Sequence, residues 1–497
     1  MKIRSGAVRT FLSTVFLGVA ACSQPGAVSP AASAPSTPQQ AEARPNMLFI
    51  LIDDMGYGDL SITGNDLVET PNMDRLARDG LLMTQFTVAA PICSASRAGF
   101  LTGRFPARER FWNFIDSRAH NDATRQAHWL NPELPTLPRS LKAAGYATGH
   151  FGKWHMGGGR DIGEAPLPTE YGFDESYTQF EGLGPRVLMT EDDARLASRS
   201  EALGRGPIDH LPKGKITERY IDKALDFIDR HQDEPWYVTL WPDDVHDPWH
   251  PTEEQIAAVN GAGRSESEVR FLAVLSALDM EIGRMVDALR ERGELDNTMI
   301  VLTSDNGPTG SPAYYKEGVV PGSAGEFRGR KGSLYEGGVR EPLIVYWPGH
   351  IEPGQRDDTT VANAVDLYPT LADAADVPAP ANLDGISLLP ALEGDPIESR
   401  PDLYYAYGAF GDRSKFPRPY LERDQRPGFA IRAGDWKLLA AADGSDAELY
   451  NLQSDPGETR NMAAERPDIM NMLTPKLRRW SASLPVEASP REPQPAE

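Results

Sequence analysis

The chain has 497 residues, 40% of them hydrophobic and 25% charged, with two cysteines. Such a composition excludes a fibrous, disordered or disulfide-scaffolded protein, and at roughly 100 to 200 residues per domain it leaves room for two globular domains. A formal net charge of −22 excludes a basic nucleic-acid-binding surface and requires that any anionic ligand be drawn in by local cations.

Residues 1–21 place Lys2, Arg4 and Arg9 ahead of the apolar stretch 11–21, the layout of a secretory signal rather than a membrane span. Val19-Ala20-Ala21-Cys22 resembles the lipobox of bacterial lipoproteins. The resemblance implies cleavage before Cys22, acylation of its thiol, and export to a lipid-anchored position on a periplasmic or outer-membrane face. An ordinary signal peptide with an incidental cysteine is the alternative. Residues 22–45 are rich in Pro, Ala and Ser and read as an extended tether.

Globular patterning begins at Asn46. Residues 47–52 form an unbroken apolar run, as in a strand buried on both faces, and the run ends in Asp53-Asp54. A second run, 299–303, ends one residue before Asp305-Asn306. Residues 236–241, 343–347 and 147–151 read as three more strands, and apolar residues at helical spacing mark helices over 217–231 and 266–292. This alternation predicts an α/β fold: a large, mostly parallel sheet sandwiched by helices, with its site outside the carboxyl ends of the strands. After Pro378 and Pro380 come shorter strands at 428–432 and 436–441 and a final helix over 467–481. A catalytic domain over 46–375 is therefore expected, then a smaller α+β domain with an antiparallel sheet over 376–485 and a disordered tail over 486–497.

Asp53, Asp54, Asp305 and Asn306 stand at equivalent strand ends, so four short oxygen-bearing side chains can converge there. All-oxygen ligation suits a hard cation, Ca²⁺ or Mg²⁺, and no Cys or His cluster is spaced for zinc. Singly, either pair is an ordinary turn or helix cap.

The stretch Cys93-Ser94-Ala95-Ser96-Arg97-Ala98-Gly99-Phe100-Leu101-Thr102-Gly103 puts Cys93 at the start of a short helix and Arg97 on the same face four residues on. It resembles C-x-P-S-R-x-x-x-L-T-G, the signature of the formylglycine-dependent sulfatases of the alkaline phosphatase superfamily. Gly152-Lys153-Trp154-His155-Met156-Gly157 resembles that family's G-K-W-H-x-G, and Val245-His246-Asp247-Pro248 resembles its second active-site histidine region. Gly329 to Arg340 resembles G-x-K-x-x-x-x-E-G-G-x-R, with Lys331 as the lysine, and 434–438 with 448–458 look like its C-terminal subdomain. One departure is Ala95, where the family usually carries Pro, and it leaves the type of maturation system open.

The resemblance implies a sulfuric ester hydrolase whose nucleophile is the hydrated aldehyde, a gem-diol, made from Cys93 by a formylglycine-generating enzyme. It implies a metal held by Asp53, Asp54, Cys93, Asp305 and Asn306. Arg97, Lys153 and Lys331 would neutralise the sulfate oxygens, His246 with Lys331 would protonate the leaving oxygen, and His155 would act as base in releasing sulfate.

The expected substrate is an O-sulfated carbohydrate, with a small aryl or metabolite sulfate as the alternative and a phosphate or phosphonate monoester behind both. A non-catalytic protein that binds sulfated glycans is the remaining reading. Trp112, His128, Trp129, Trp249 and His250 are candidates for stacking on a sugar, or for core. Arg328, Arg330, Lys331 and Arg340 fall in one segment and are expected to give a local positive field.

Overall fold

The computed structural model describes residues 44–191, 194–311, 320–425 and 428–486. The expected signal, Cys22 and most of the tether lie outside the described residues, as does nearly all of the expected tail.

Ten strands make the main sheet. In chain order they are β1 (Asn46–Ile52), β2 (Leu81–Met83), β4 (Ala147–Lys153), β5 (Glu175–Gln179), β6 (Arg186–Met189), β7 (Ile208–Leu211), β8 (Trp236–Trp241), β9 (Thr298–Ser304), β10 (Leu343–Tyr346) and β11 (Gln355–Asp357). A short β3 (Phe86–Thr87) pairs separately with β12 (Ala362–Asn363). Across the main sheet the order is β11-β2-β10-β9-β1-β8-β4-β5-β6-β7. Every pairing is parallel except those of β10 with β9 and β2, so the predicted mostly parallel sheet is present.

Strand β1 lies between β9 and β8, and all seven of its residues are buried, which is why its sequence is apolar without alternation. Two apolar clusters cover it: Met47, Phe49 and Leu51 belong to one, Leu48, Ile50 and Ile52 to the other. Helices Ile216–Arg230 and Glu266–Glu291 bury Ile221, Leu225, Ile282 and Val286 in the second cluster. Each such aliphatic side chain contributes roughly 1.5–3 kcal/mol on removal from water.

The register Asn46↔Thr298 through Ile52↔Ser304 has a direct consequence for the site. It brings Asp53-Asp54 and Asp305-Asn306 out of adjacent parallel strands at the same level. Beyond residue 376 lies a four-stranded antiparallel sheet, β13 (Leu403–Ala406), β14 (Phe429–Ala433), β15 (Trp436–Ala440) and β16 (Glu448–Asn451), with helix Pro467–Ala482 against β14 and β15. One apolar cluster runs from Met47 through Phe100 and Leu371 to Leu438 and Leu473, joining residues on both sides of position 376.

Candidate active site

Four elements deliver the site. Asp53 and Asp54 follow β1, and Asp54 is held at φ 61, a left-handed conformation that is strained for a residue with a side chain. Asp305 and Asn306 follow β9. Cys93 is the first residue of the helix Cys93–Thr102, where free backbone amides favour a negative group. Lys153 ends β4, beside Gly152 at φ +128; a Cβ there would lie 2.2 Å from the Trp241 carbonyl oxygen of the neighbouring strand, so only glycine lets β4 pack so closely.

The three carboxylates face three cations. Arg97 donates from Nε (2.9 Å) and Nη2 (2.7 Å) to Asp305 Oδ2, and its Nη2 stands 3.3 Å from Asp53 Oδ1. Lys153 Nζ donates to Asp53 Oδ2 at 2.5 Å, and Lys331 Nζ to Asp54 Oδ1 and Oδ2 at 2.6 and 2.8 Å. Asn306 Nδ2 donates to Asp54 Oδ1 at 2.7 Å, and the Asp54 backbone N–H donates to Asp305 Oδ1 at 3.2 Å. Cys93 Sγ lies 3.9 Å from Asp54 Oδ1.

Burial pushes the Asp53 carboxyl up, but Lys153 and Arg97 outweigh it and hold the group well below the usual carboxylate range. Asp54 is also held down, against burial, chiefly by Lys331. Burial and the neighbouring Asp53 push Asp305 up to about 7, against the pull of Arg97. Burial pushes the Cys93 thiol up despite Lys153 and Lys331, so the unmodified side chain is a neutral thiol and a poor nucleophile.

Both histidines are held neutral by burial and nearby cations, but they differ in which nitrogen donates. His246 Nδ1 donates to the Asp247 carbonyl at 2.5 Å, which leaves Nε2 to accept from Lys331 Nζ at 3.1 Å; burial, then Lys331 and Lys153, push it down to about 4. His155, at φ 55, donates from Nε2 to the Ile115 carbonyl at 3.1 Å and packs edge-on against Phe180. Its Nδ1 is buried without a hydrogen bond, and burial with Lys153 and Arg97 holds the ring well below its ordinary value.

Three observations fit this donor set to a cation. Asp53 Oδ1 and Asn306 Oδ1 are buried and accept no hydrogen bond. Ligating atoms of Asp53, Asp54, Cys93 and His246 all lie within 4.8 Å of one another. Asp53, Asp54, Asp305 and Asn306 together offer oxygen donors, which suit a hard cation. Asp305 stands beside this group with one oxygen taken by Arg97.

A cavity of about 690 Å³ opens over Cys93, His155, His246 and Lys331. Arg97 and Lys153 are not among its lining residues; they face the carboxylates instead. Its walls add Arg160, Phe114, Phe180, Phe416, Arg418 and Tyr420.

The expected local positive field is reduced to one residue of the segment, because Arg328, Arg330 and Arg340 do not line the cavity. Arg328 is bound to Asp424, Tyr450 and the Arg423 carbonyl, Arg330 to the carbonyls of Thr309, Pro321 and Gly322, and Arg340 to Glu336 and the Thr84 carbonyl. Of the segment, only Lys331 reaches the cavity. Trp112 and Trp249 are core: their indole nitrogens donate to the Thr124 and Val245 carbonyls, and both rings are sealed from solvent. His128 is buried on Asp122, and neither Trp129 nor His250 lines the cavity.

Comparison with known proteins follows the same outline. The sulfatase family model matches residues 45–377, and that of the N-sulphoglucosamine sulphohydrolase C-terminal region matches 325–483. N-acetylgalactosamine-6-sulfatase of Sus scrofa is 36% identical over 375 residues, covering 73% of this chain and 68% of that protein. Arylsulfatase A of Homo sapiens is 31% identical over 474 residues, covering 86% of each. The solved structure of Ps i-CgsB in complex with k-i-k-neocarrahexaose matches with a TM-score of 0.73 at 25% identity, covering 90% of this chain and 95% of that one. The chain belongs to the sulfatase family and is a sulfuric ester hydrolase.

Proposed function

We propose that this sulfatase removes O-sulfate from a sulfated carbohydrate, using a formylglycine made from Cys93 and a divalent cation. The observation that carries the reading is the placement of Cys93 at a helix N-terminus on the floor of the cavity, 3.9 Å from Asp54 and ringed by Lys331, His246 and His155. A thiol that burial keeps protonated gains a use there through conversion. Asp53, Asp54, Asp305 and Asn306 would hold the cation, Ca²⁺ in preference to Mg²⁺. When present, the two groups supply a hydrated aldehyde as nucleophile and the positive charge that polarises it.

The chain's own residues do the rest. Lys331 Nζ carries a proton and His246 Nε2 accepts a hydrogen bond from it, so this pair protonates the leaving oxygen, with the proton stored on lysine rather than on imidazole. His155 Nδ1 keeps an unshared lone pair because Nε2 is spent on Ile115, and it takes the proton whose loss releases sulfate. Arg97 and Lys153 keep Asp53 ionised and aligned, and Lys331 does the same for Asp54.

Carbohydrate is favoured over a small aryl ester because the cavity is wide and rimmed by Arg160, Phe180, Arg418 and Tyr420, and because Ps i-CgsB was solved with an oligosaccharide. The lipobox-like sequence at Cys22 supports a lipid-anchored, exported enzyme. A panel of sulfated mono- and oligosaccharides, 4-nitrophenyl sulfate and 4-nitrophenyl phosphate, assayed with and without chelator, tests the reading. Chelator-sensitive hydrolysis with kcat/KM highest on a sulfated sugar is expected. Preference for the phosphate ester, or activity indifferent to the chelator, would overturn it.

A further inference from the structure

Resting on that reading, we propose that the segment 414–420 forms a second anion subsite. In it Arg418 selects substrates that carry a carboxylate or sulfate on the sugar next to the one that loses its sulfate.

Among the described residues, three basic side chains of Lys or Arg line the cavity. Lys331 is taken by Asp54. Arg160 is neutralised by Glu181 at 2.8 Å and Asp116 at 3.2 Å. Arg418 makes no ion pair among the described residues; its Nη2 donates to the Arg413 carbonyl at 2.5 Å, and the residue is exposed. Asp247 is the carboxylate that shares the cavity lining, with Oδ1 accepting from Thr309 Oγ1 at 3.0 Å.

Backbone chemistry fixes the stretch of chain that carries this guanidinium. Arg418 stands between Pro417 and Pro419; the two rings fix their own φ, and a residue that precedes proline is restricted to extended conformations. The Tyr407 hydroxyl donates to the Pro417 carbonyl at 2.5 Å. Gly332, next to Lys331 and at φ +81, comes so near this segment that a Cβ would lie 2.8 Å from the Pro417 oxygen, and a Cβ on Gly310 would lie 3.5 Å from the Pro419 Cα. The segment is thus seated on the loop that carries Lys331, one residue from it. Tyr420, 48% exposed, offers a ring on the same wall.

From this fixed backbone the planar guanidinium can donate two parallel hydrogen bonds to a carboxylate or sulfate. On a chain of net charge −22, a cation without an ion pair among the described residues puts positive charge in the cavity lining that a polyanion approaches.

The test compares wild type, Arg418→Ala and Arg418→Lys on sulfated disaccharides whose second sugar is neutral, a uronate or itself sulfated, with 4-nitrophenyl sulfate as reference. Wild type is expected to favour an acidic neighbour about tenfold in kcat/KM, mostly through KM, and Arg418→Ala to erase that ratio while Lys keeps part of it. The uronate and sulfate arms identify the anion. An acidic-to-neutral ratio near one in wild type, or one unchanged in Arg418→Ala, overturns this inference alone. Failure of wild type to cleave any sulfate ester overturns the sulfated-carbohydrate reading and this inference with it.

Discussion

At the strand ends Asp53, Asp54 and Asp305 face Arg97, Lys153 and Lys331, while beside the four-stranded sheet Glu336 and Glu458 face Lys437 and Arg432. Both groups are buried and both have strongly displaced protonation. In the second, Lys437 Nζ lies 2.7 Å from Glu336 and 3.1 Å from Glu458, and the Glu336 backbone N–H donates to Glu458 Oε2 at 2.6 Å. Its two atoms without hydrogen bonds, Glu458 Oε1 and Arg432 Nη1, still face opposite charges at 3.1 and 3.9 Å. None of its residues lines the cavity over Cys93. The strand-end group instead stands beside Cys93, His155, His246 and Lys331, which line that cavity, and His155 Nδ1 is without a hydrogen bond. Displaced protonation is therefore common to both clusters, and what separates them is side chains with reactive atoms on a cavity lining.

The sharpest way to break that contrast is to exchange the phenotypes. Cys93→Ala is expected to cut turnover by roughly 10⁴-fold or more while leaving a cooperatively folded protein, read by kcat and thermal unfolding together. Lys437→Met should do the opposite: Glu458 loses its cation and Glu336 the nearest of its three, costing about 3–5 kcal/mol of stability, with kcat per folded molecule unchanged. A Lys437 variant that unfolds like wild type yet loses turnover would collapse the distinction.

A smaller effect separates the clusters by pH. Burial pushes Glu458 up to about 7, whereas Lys437 leads Arg432 and Arg340 in overcoming burial to bring Glu336 down to about 2. Glu458 binds its proton more tightly in the fold than in the unfolded chain, so its stabilisation is complete below about pH 4.5 and is lost as pH rises through 7. Glu336 has the reverse sign: its stabilisation is present above about 4.5 and is lost as pH falls towards 2. Glu458→Gln is expected to flatten the decline in unfolding midpoint between pH 5 and 7.5, an effect of about 1–3 kcal/mol. An identical slope in the variant would show that Glu458 does not titrate in this window.

Legibility in the sequence followed the physics of each element. Strands β1, β8 and β9 were readable because burial on both faces removes polar residues from them, and the long helices because their apolar faces repeat at helical spacing. Strands β5 to β7 were missed: they lie toward one edge of the sheet and carry polar residues such as Glu175, Gln179 and Asp209. Cys93, Lys153, His155, His246 and Lys331 were found through local motifs, and the fold brings them together. Arg160, Phe180, Arg418 and Tyr420 were not, since they reach one cavity from segments far apart in the chain. Spacing shows cations but not their partners, which here are Asp424 for Arg328, Glu336 for Arg340 and backbone carbonyls for Arg330. The Pro417-Arg418-Pro419 triplet was the one readable sign of that wall.

The central claim is that residue 93 of the working enzyme is no longer cysteine, and peptide mass spectrometry across 93 on protein from its native host addresses it directly. Formylglycine at that position is the predicted result. Unmodified Cys93 in folded protein that hydrolyses sulfate esters at full rate would contradict it.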